Sequence, residues 1–151
     1  MSSDTPSIGR IEAGRHLLPI RVYFEDTDHT GFVYHANYLR FMERARTEML
    51  RHAGVGHNAA MAAEDGFWAV HAMAITWHSP ARIDDELLVI TTVTRVRAAA
   101  NELTHRVMRG ETLLCSASVT AAFLAMNGRP QRQFRVWHER FTGLMEQAIA
   151  G

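Results

Sequence analysis

Apolar positions recur along this chain with two spacings, and the spacing switches across one short polar segment. Leu17 to Phe24 is an apolar run with β-branched members and predicts a first strand. From Asn37 to His52 the residues Tyr38, Phe41, Met42, Ala45 and Met49 fall at helical spacing and form one stripe. Arg40, Glu43, Arg44 and Glu48 occupy the other faces, and Gly54 and Gly56 mark the stop. Trp68 to His78 alternates, with Ala69, His71, Met73, Ile75 and Trp77 on one side. Leu87 to Arg97, Glu102 to Arg109 and Leu113 to Met126 continue as a meander, with Asn101 and Gly110 at the turns and Asn127-Gly128 at the end. In its last strand Leu113, Cys115, Ala117, Val119, Ala121 and Phe123 share a face. Helical spacing returns from Gln133 to Ile149, through Phe134, Trp137, Phe141, Leu144, Met145 and Ala148.

Strand, helix, four strands and helix in that order predict an α+β fold. One long helix lies on a curved antiparallel sheet of about five strands, and a C-terminal helix follows. The sheet face away from the helix is expected to carry Trp and Val residues and to need cover, which dimerisation supplies. The last helix either docks on the body or presents a surface to a membrane or partner. Residues 1–14 are rich in Ser, Gly and charge and read as a flexible arm, leaving 15–151 as a single domain.

Composition removes several functions. The 16 basic residues are balanced by 16 acidic ones, so the basic footprint of a nucleic-acid binder is missing. Every basic residue is arginine, which excludes lysine Schiff-base chemistry and a Walker-type phosphate loop. Cys115 is the only cysteine, so no internal disulfide or multi-cysteine zinc site can form. Set in a strand, it reads as a buried, inert thiol rather than a nucleophile. The nine histidines include no His-x-His or His-x-x-x-His pair. The imaginable ligand set Asp26, Asp28, His29 and His35 therefore has no support from spacing, and no metal is expected. His52, His57, His71, His78, His105 and His138 are scattered and receive no role. With no signal-peptide run and no apolar stretch of membrane-spanning length, a soluble, cytoplasmic protein is expected.

The chemistry gathers where the spacing switches, in Asp26-Thr27-Asp28-His29-Thr30-Gly31-Phe32-Val33-Tyr34-His35-Ala36-Asn37-Tyr38-Leu39. A strand-to-helix junction with an acid on one side and a helix N-terminus on the other can hold a carbonyl group and attack it. Gly31 permits a tight turn or close approach of substrate. The amides around His35 and Ala36 have no acceptor within the helix, and with the helix dipole they can polarise a carbonyl oxygen. Asp28 either attacks directly or deprotonates a water; its structural alternative is a turn or cap acid. His35 orients the carbonyl or the water, protonates a leaving group, or simply packs. Tyr34 and Asn37 flank the junction, with Asn37 read as a helix cap and Asp26 as the partner of a turn amide or an arginine. His29, next to Asp28, is a candidate for tuning its pKa. Glu43, off the apolar stripe, reads as solvated or salt-bridged.

These residues also carry a resemblance. Arg21-Val22-Tyr23-Phe24-Glu25-Asp26-Thr27-Asp28, Gly31, Val33 to Phe41 and Glu43-Arg44-Ala45-Arg46-Thr47-Glu48 resemble the hot-dog fold thioesterases. The nearer likeness is to the 4-hydroxybenzoyl-CoA thioesterase-like group, and within it to the YbgC-like members associated with the Tol-Pal system. It extends more loosely through Ala81 to Leu87 and the following strands, from about residue 17 to about residue 140. The resemblance implies a sheet wrapped round the long helix, dimers often paired into tetramers, active sites at the subunit interface, and hydrolysis of an acyl-CoA thioester without metal or cofactor. It places the catalytic carboxylate on Asp28 and the family's histidine on His35. One departure stands out: where YbgC-like members usually read Ala-Gly-Gly after the second Asp, this chain has His29-Thr30-Gly31. Two larger polar residues there bear on the choice of substrate more than on the reaction. A short-chain or aromatic acyl-CoA is the expected substrate, with Arg82, Arg129 and Arg132 as candidates for the CoA phosphates. The basic run at 129–135 has a peripheral membrane contact as its alternative. The rival functions are a hot-dog hydratase-dehydratase and a non-catalytic protein binding acyl carrier protein or a Tol-Pal component.

Overall fold

The computed structural model describes residues 4–151. Its strands are β1 (Arg10–Glu12), β2 (Arg15–Arg21), β3 (Phe67–Trp77), β4 (Glu86–Val96), β5 (Ala100–Arg109) and β6 (Thr112–Leu124). Its helices are α1 (Asn37–His52), α2 (His57–Ala62) and α3 (Arg135–Ala150). All six strands join one antiparallel sheet in the order β1-β2-β4-β5-β6-β3, one more strand than expected. The added strand is β1, inside the segment read as a flexible arm. Residues 1–3 of that arm lie outside the described residues. Further along it, the ring nitrogens of His16 and His52 meet the carbonyls of Ile8 and Gly9 at 2.8 and 3.2 Å. Buried His16 thus ties down a segment whose composition says nothing of order.

α1 spans the residues its stripe predicts, and Tyr38, Phe41, Met42, Ala45 and Met49 are all buried. It ends in a Schellman arrangement. Gly54 takes φ +71°, the Gly54 amide donates to the Arg51 carbonyl at 3.1 Å, and the Val55 amide to Leu50 at 2.9 Å. The stripe packs with Leu18, Val22, Leu87, Val89, Val107, Cys115, Ala117 and Val119. A second cluster joins the far end of α1 to α3, through Met49, Val93, Leu103, Phe123, Trp137 and Phe141. α3 is therefore a docking helix, covering the half of the inner sheet face that α1 leaves.

Two irregularities overturn the alternation read from sequence. The β3–β6 register shifts between Val70 and Ala72, leaving His71 as the extra residue. Trp68 and Val70, opposite Phe123 and Ala121, therefore share the inner face with Met73, Ile75 and Trp77, in place of Ala69 and His71. The β5–β6 register shifts at Val107/Met108, which fully buries Leu114 and leaves Leu113 only half-buried. The outer face carries Thr92, Thr104, Ser116, Ser118 and Thr120 beside half-buried Leu88 and Ile90, and not the Trp and Val residues expected to need cover there. Asn101 is buried within β5, and the turn before it lies at Arg97–Ala100. The first strand stops at Arg21, and Phe24–Asp26 form a 3-10 turn instead of its end.

A polar chain crosses the helix–sheet interface. The Arg46 guanidinium on α1 donates to His105 Nε2 at 3.0 Å, so the other ring nitrogen carries the proton and donates to Thr91 Oγ1 at 2.9 Å. Burial, then the charge of Arg46, pulls the His105 pKa down to about 3, so the ring is neutral. Cys115 is fully buried, and burial pushes its thiol up to about 12, so it is protonated at neutral pH.

Phe41 has no exposed surface and sits where α1 meets the sheet. Phe41→Ala is expected to lower the unfolding free energy by about 3–5 kcal/mol. A urea titration at fixed protein concentration checks this, as a lower midpoint with an unchanged slope.

Candidate active site

After the 3-10 turn the chain makes a small hairpin whose outgoing arm runs into α1. Thr27 and Val33 bridge, the Asp28 amide donates to the Phe32 carbonyl at 3.0 Å, and the Tyr34 amide to Asp26 at 2.9 Å. The tip is a turn closed by the Gly31 amide on the Asp28 carbonyl at 3.1 Å. Gly31 takes φ +83°, and a Cβ there would meet no neighbouring atom, so backbone conformation rather than space requires glycine.

Asp26 is buried at the base. Its Oδ2 accepts the Tyr23 amide and its Oδ1 the Asn37 side-chain amide, each at 2.8 Å. This is the structural role expected of Asp26, but it changes the reading of Asn37. The N-cap position is Ala36, with no side-chain cap, and Asn37 instead ties the start of α1 to the hairpin.

Asp28 sits at the tip. Its Oδ1 accepts the Thr30 amide at 2.8 Å and also the Thr30 hydroxyl. These two bonds, hydroxyl first, hold its carboxyl below the usual carboxylate range. The charges of His29 and His35 act in the same direction more weakly, so His29 is a minor tuner and Thr30 the main one. Sequence reading noted Thr30 only as a departure from pattern. The signal was present in Asp-x-Thr-Gly, the composition of an Asx turn.

The Tyr34 and His35 rings stack tilted, with centroids 4.6 Å apart, and both side chains are exposed. The Asn37 amide donates to the Tyr34 carbonyl at 2.8 Å, and Trp77 Nε1 to the His35 carbonyl at 3.0 Å. Among the described residues, neither the His35 nor the Ala36 amide has an acceptor. Asp28 and the two amides thus stand on one short segment at the positive end of α1.

The hairpin docks on the β3–β4 connection. The Val33 amide donates to Ala81 at 2.9 Å, the Ala81 amide to the Tyr38 hydroxyl at 3.0 Å, and Phe32 bridges Arg82. The Arg82 guanidinium lies 4.7 Å from the centre of the Phe32 ring, which brings a cation beside the site. Arg129 and Arg132 are not brought there within one chain. Pro130 bridges Leu124 at the end of β6, nine residues from Cys115, about 30 Å along the strand from the hairpin's end. Glu43 is exposed and lines a separate cavity of about 290 Å³ with Arg46, His57, Trp68 and Phe141. No residue from Asp28 to Asn37 lines that cavity. Among the described residues no three His, Cys, Asp or Glu side chains are grouped to hold a metal ion.

The fold is shared with thioesterases. The family model described as the thioesterase superfamily matches residues 30–116. The acyl-CoA thioester hydrolase YbgC of Escherichia coli is 47% identical over 102 residues, covering 67% of this chain and 75% of that protein. The acyl-CoA thioesterase YbgC of Haemophilus influenzae is 41% identical over 105 residues, covering 70% and 77%. The crystal structure of a probable thioesterase from Bartonella henselae superposes with TM-score 0.75 at 36% identity, covering 80% of this chain and 99% of that one. The chain belongs to the thioesterase superfamily, and its curved sheet around α1 is the hot-dog fold.

Thr30→Val removes the hydroxyl bond that most lowers the Asp28 pKa. Where turnover needs ionised Asp28, the acid limb of the kcat/KM–pH profile is expected to move to higher pH, with the plateau less affected. Loss here shows as activity missing at acid pH and recovered as pH rises, since the unprotonated form is the competent one.

Proposed function

We propose that this protein is an acyl-CoA thioesterase, hydrolysing a short-chain or aromatic acyl-CoA to the free acid and CoA. The observation that carries the reading is the pairing of an ionised carboxylate, Asp28, with two acceptor-free amides, His35 and Ala36, at the start of α1. A thioester carbonyl seated between them meets both requirements of acyl transfer. Asp28 takes a proton from water as the water oxygen bonds to the carbonyl carbon, or bonds to that carbon itself and forms an anhydride that water then opens. In either route the oxygen gains negative charge toward the two amides. The C–S bond then breaks as the carbonyl re-forms, and the thiolate leaves with a proton from His35 or solvent.

Gly31 shapes the turn that presents Asp28, Tyr34 packs its ring against His35, and Asn37 acts by holding Asp26. Arg82 is the cation assigned to the CoA phosphates; Arg129 and Arg132 can reach such a site only from another copy of the chain. The relatives named as acyl-CoA thioester hydrolases support this reaction over hydration or non-catalytic binding. A dimer or dimer of dimers is proposed because β3, eleven residues long, is a sheet edge paired only to β6 among the described residues, carrying half-exposed Val70 and Trp77. A link to the Tol-Pal system and contact with acyl carrier protein are proposed from the resemblance alone; a cytoplasmic location and the unity of residues 15–151 as one functional domain are proposed from the residue pattern of the sequence.

The test is thiol release from acyl-CoAs running from propionyl to palmitoyl, with 4-hydroxybenzoyl-CoA included. Wild type is expected to hydrolyse part of the panel, and Asp28→Asn to lose about 10²–10⁴ in kcat. Absence of thiol release across the panel overturns the proposal.

A further inference from the structure

Trp77 ends the edge strand β3, opposite Cys115, with its indole on the inner face. From there it reaches the start of α1. Nε1 donates to the His35 carbonyl at 3.0 Å, and the ring stands edge-on to the imidazole with centroids 5.9 Å apart. The peptide unit that receives this bond gives it a consequence. Among the described residues no peptide is cis, and in a trans unit the carbonyl and the N–H point in opposite directions. Holding the His35 carbonyl toward Trp77 therefore aims the Ala36 N–H away from it. The preceding unit is held alike, since the Tyr34 carbonyl accepts the Asn37 amide at 2.8 Å, which fixes the His35 N–H. Both acceptor-free amides thus lie on peptide planes clamped from the carbonyl side. A donor on the carbonyl also polarises the unit and strengthens its N–H as a donor.

The two clamps differ in origin. The one on Tyr34 comes with the turn into α1. The one on His35 is a side chain delivered by a strand some forty residues later. The end of that strand is itself fixed. The bulge at Leu114 presents its carbonyl to the amides of His78 and Ser79 at 2.8 and 3.1 Å, and Cys115 opposite Trp77 is fully buried. Trp77 is 45% exposed, so its role is separable from core packing.

We propose that Trp77 is a positioning residue for thioester hydrolysis: its indole N–H fixes the His35–Ala36 peptide plane and aims the Ala36 N–H at the oxyanion. The proposal rests on the thioesterase reading above. Trp77 acts through the His35 peptide, so its loss falls on the transition state rather than on substrate binding.

Trp77→Phe keeps an aromatic ring and removes the donor. On a substrate identified by the thiol-release panel, kcat is expected to fall about tenfold, below the 10²–10³ that follows loss of an oxyanion donor itself, with KM and the unfolding midpoint nearly unchanged. In NMR spectra of the wild type, the Trp77 indole proton is expected to exchange slowly, and Trp77→Phe to move the His35 carbonyl and Ala36 amide resonances. Unchanged kcat in Trp77→Phe, with Asp28→Asn inactive, overturns the role of Trp77 and leaves the thioesterase reading standing. A freely exchanging indole proton overturns it irrespective of activity. A kcat loss matched by equal losses in KM and stability reduces Trp77 to a structural residue and overturns it as well. No thiol release by the wild type sinks the thioesterase reading and this proposal together.

Discussion

Burial of the α1 stripe on the inner sheet face is the constraint from which the rest of the molecule follows. Phe41, Met42 and Ala45 have no exposed surface, and Val89, Val107 and Cys115 beneath them have none either. Each large side chain so buried contributes about 1.5–3 kcal/mol, which is comparable with a sizeable fraction of the whole stability of a small domain. A helix held this firmly has little freedom to slide or turn, so its first residue stands at a defined place over the sheet. The hairpin that carries Asp28 leads directly into that residue. The position of the carboxylate is therefore a consequence of core packing, transmitted through the buried Asp26–Asn37 bond.

Polar groups inside this interface do a different job. The Arg46–His105–Thr91 chain links helix to sheet through two hydrogen bonds that use both ring nitrogens of His105. A half-buried arginine facing a neutral imidazole adds little to stability over an apolar packing. It does penalise a helix rotated or shifted out of register, because such a shift strands a charge and two hydrogen-bonding groups away from water. Apolar burial fixes the depth of α1, and the polar chain fixes its register along the sheet. Both act on the start of α1, where the hairpin that carries Asp28 joins the helix.

Much of this was legible in the sequence, and where it was not the reason is physical. α1 was readable to its ends because a strict helical stripe is followed by Gly54, whose positive φ makes a helix stop. The acidic hairpin was readable because turn residues and carboxylates cluster there. The bulges at His71 and Leu114 were not, because an extra residue leaves the alternation intact on each side and only inverts its phase. That inversion moved Trp68 and Val70 inward and with them the expected apolar outer face. β1 was missed because three residues are too few to show an alternation; its order comes from pairing with β2 and from the bonds of His16 and His52 to Ile8 and Gly9 just before it. Trp77 was read as one member of an alternating strand; its bond to the His35 carbonyl joins positions that only the fold brings together. Arg129 and Arg132 were grouped with the site on charge alone, and strand geometry separates them from it.

The direction of the Asp28 shift bears on how such a carboxylate works. A general base is most effective with a pKa near the working pH, and Asp28 lies on the other side of its ordinary value. Two bonds from Thr30 on Oδ1 weaken that oxygen as a proton acceptor while keeping the group charged. Taken alone this favours attack or charge stabilisation over proton abstraction. The opposing contribution is desolvation, which already acts to raise the pKa. On the proposed function, an acyl-CoA lying over the hairpin, or a second copy of the chain closing on the β3 edge, would exclude more water and strengthen that contribution. The Thr30 bonds, which lower the pKa, would then oppose that rise. On this argument His29-Thr30 in place of Ala-Gly is a counterweight, and it matters most where the bound acyl group is bulky enough to dry the site.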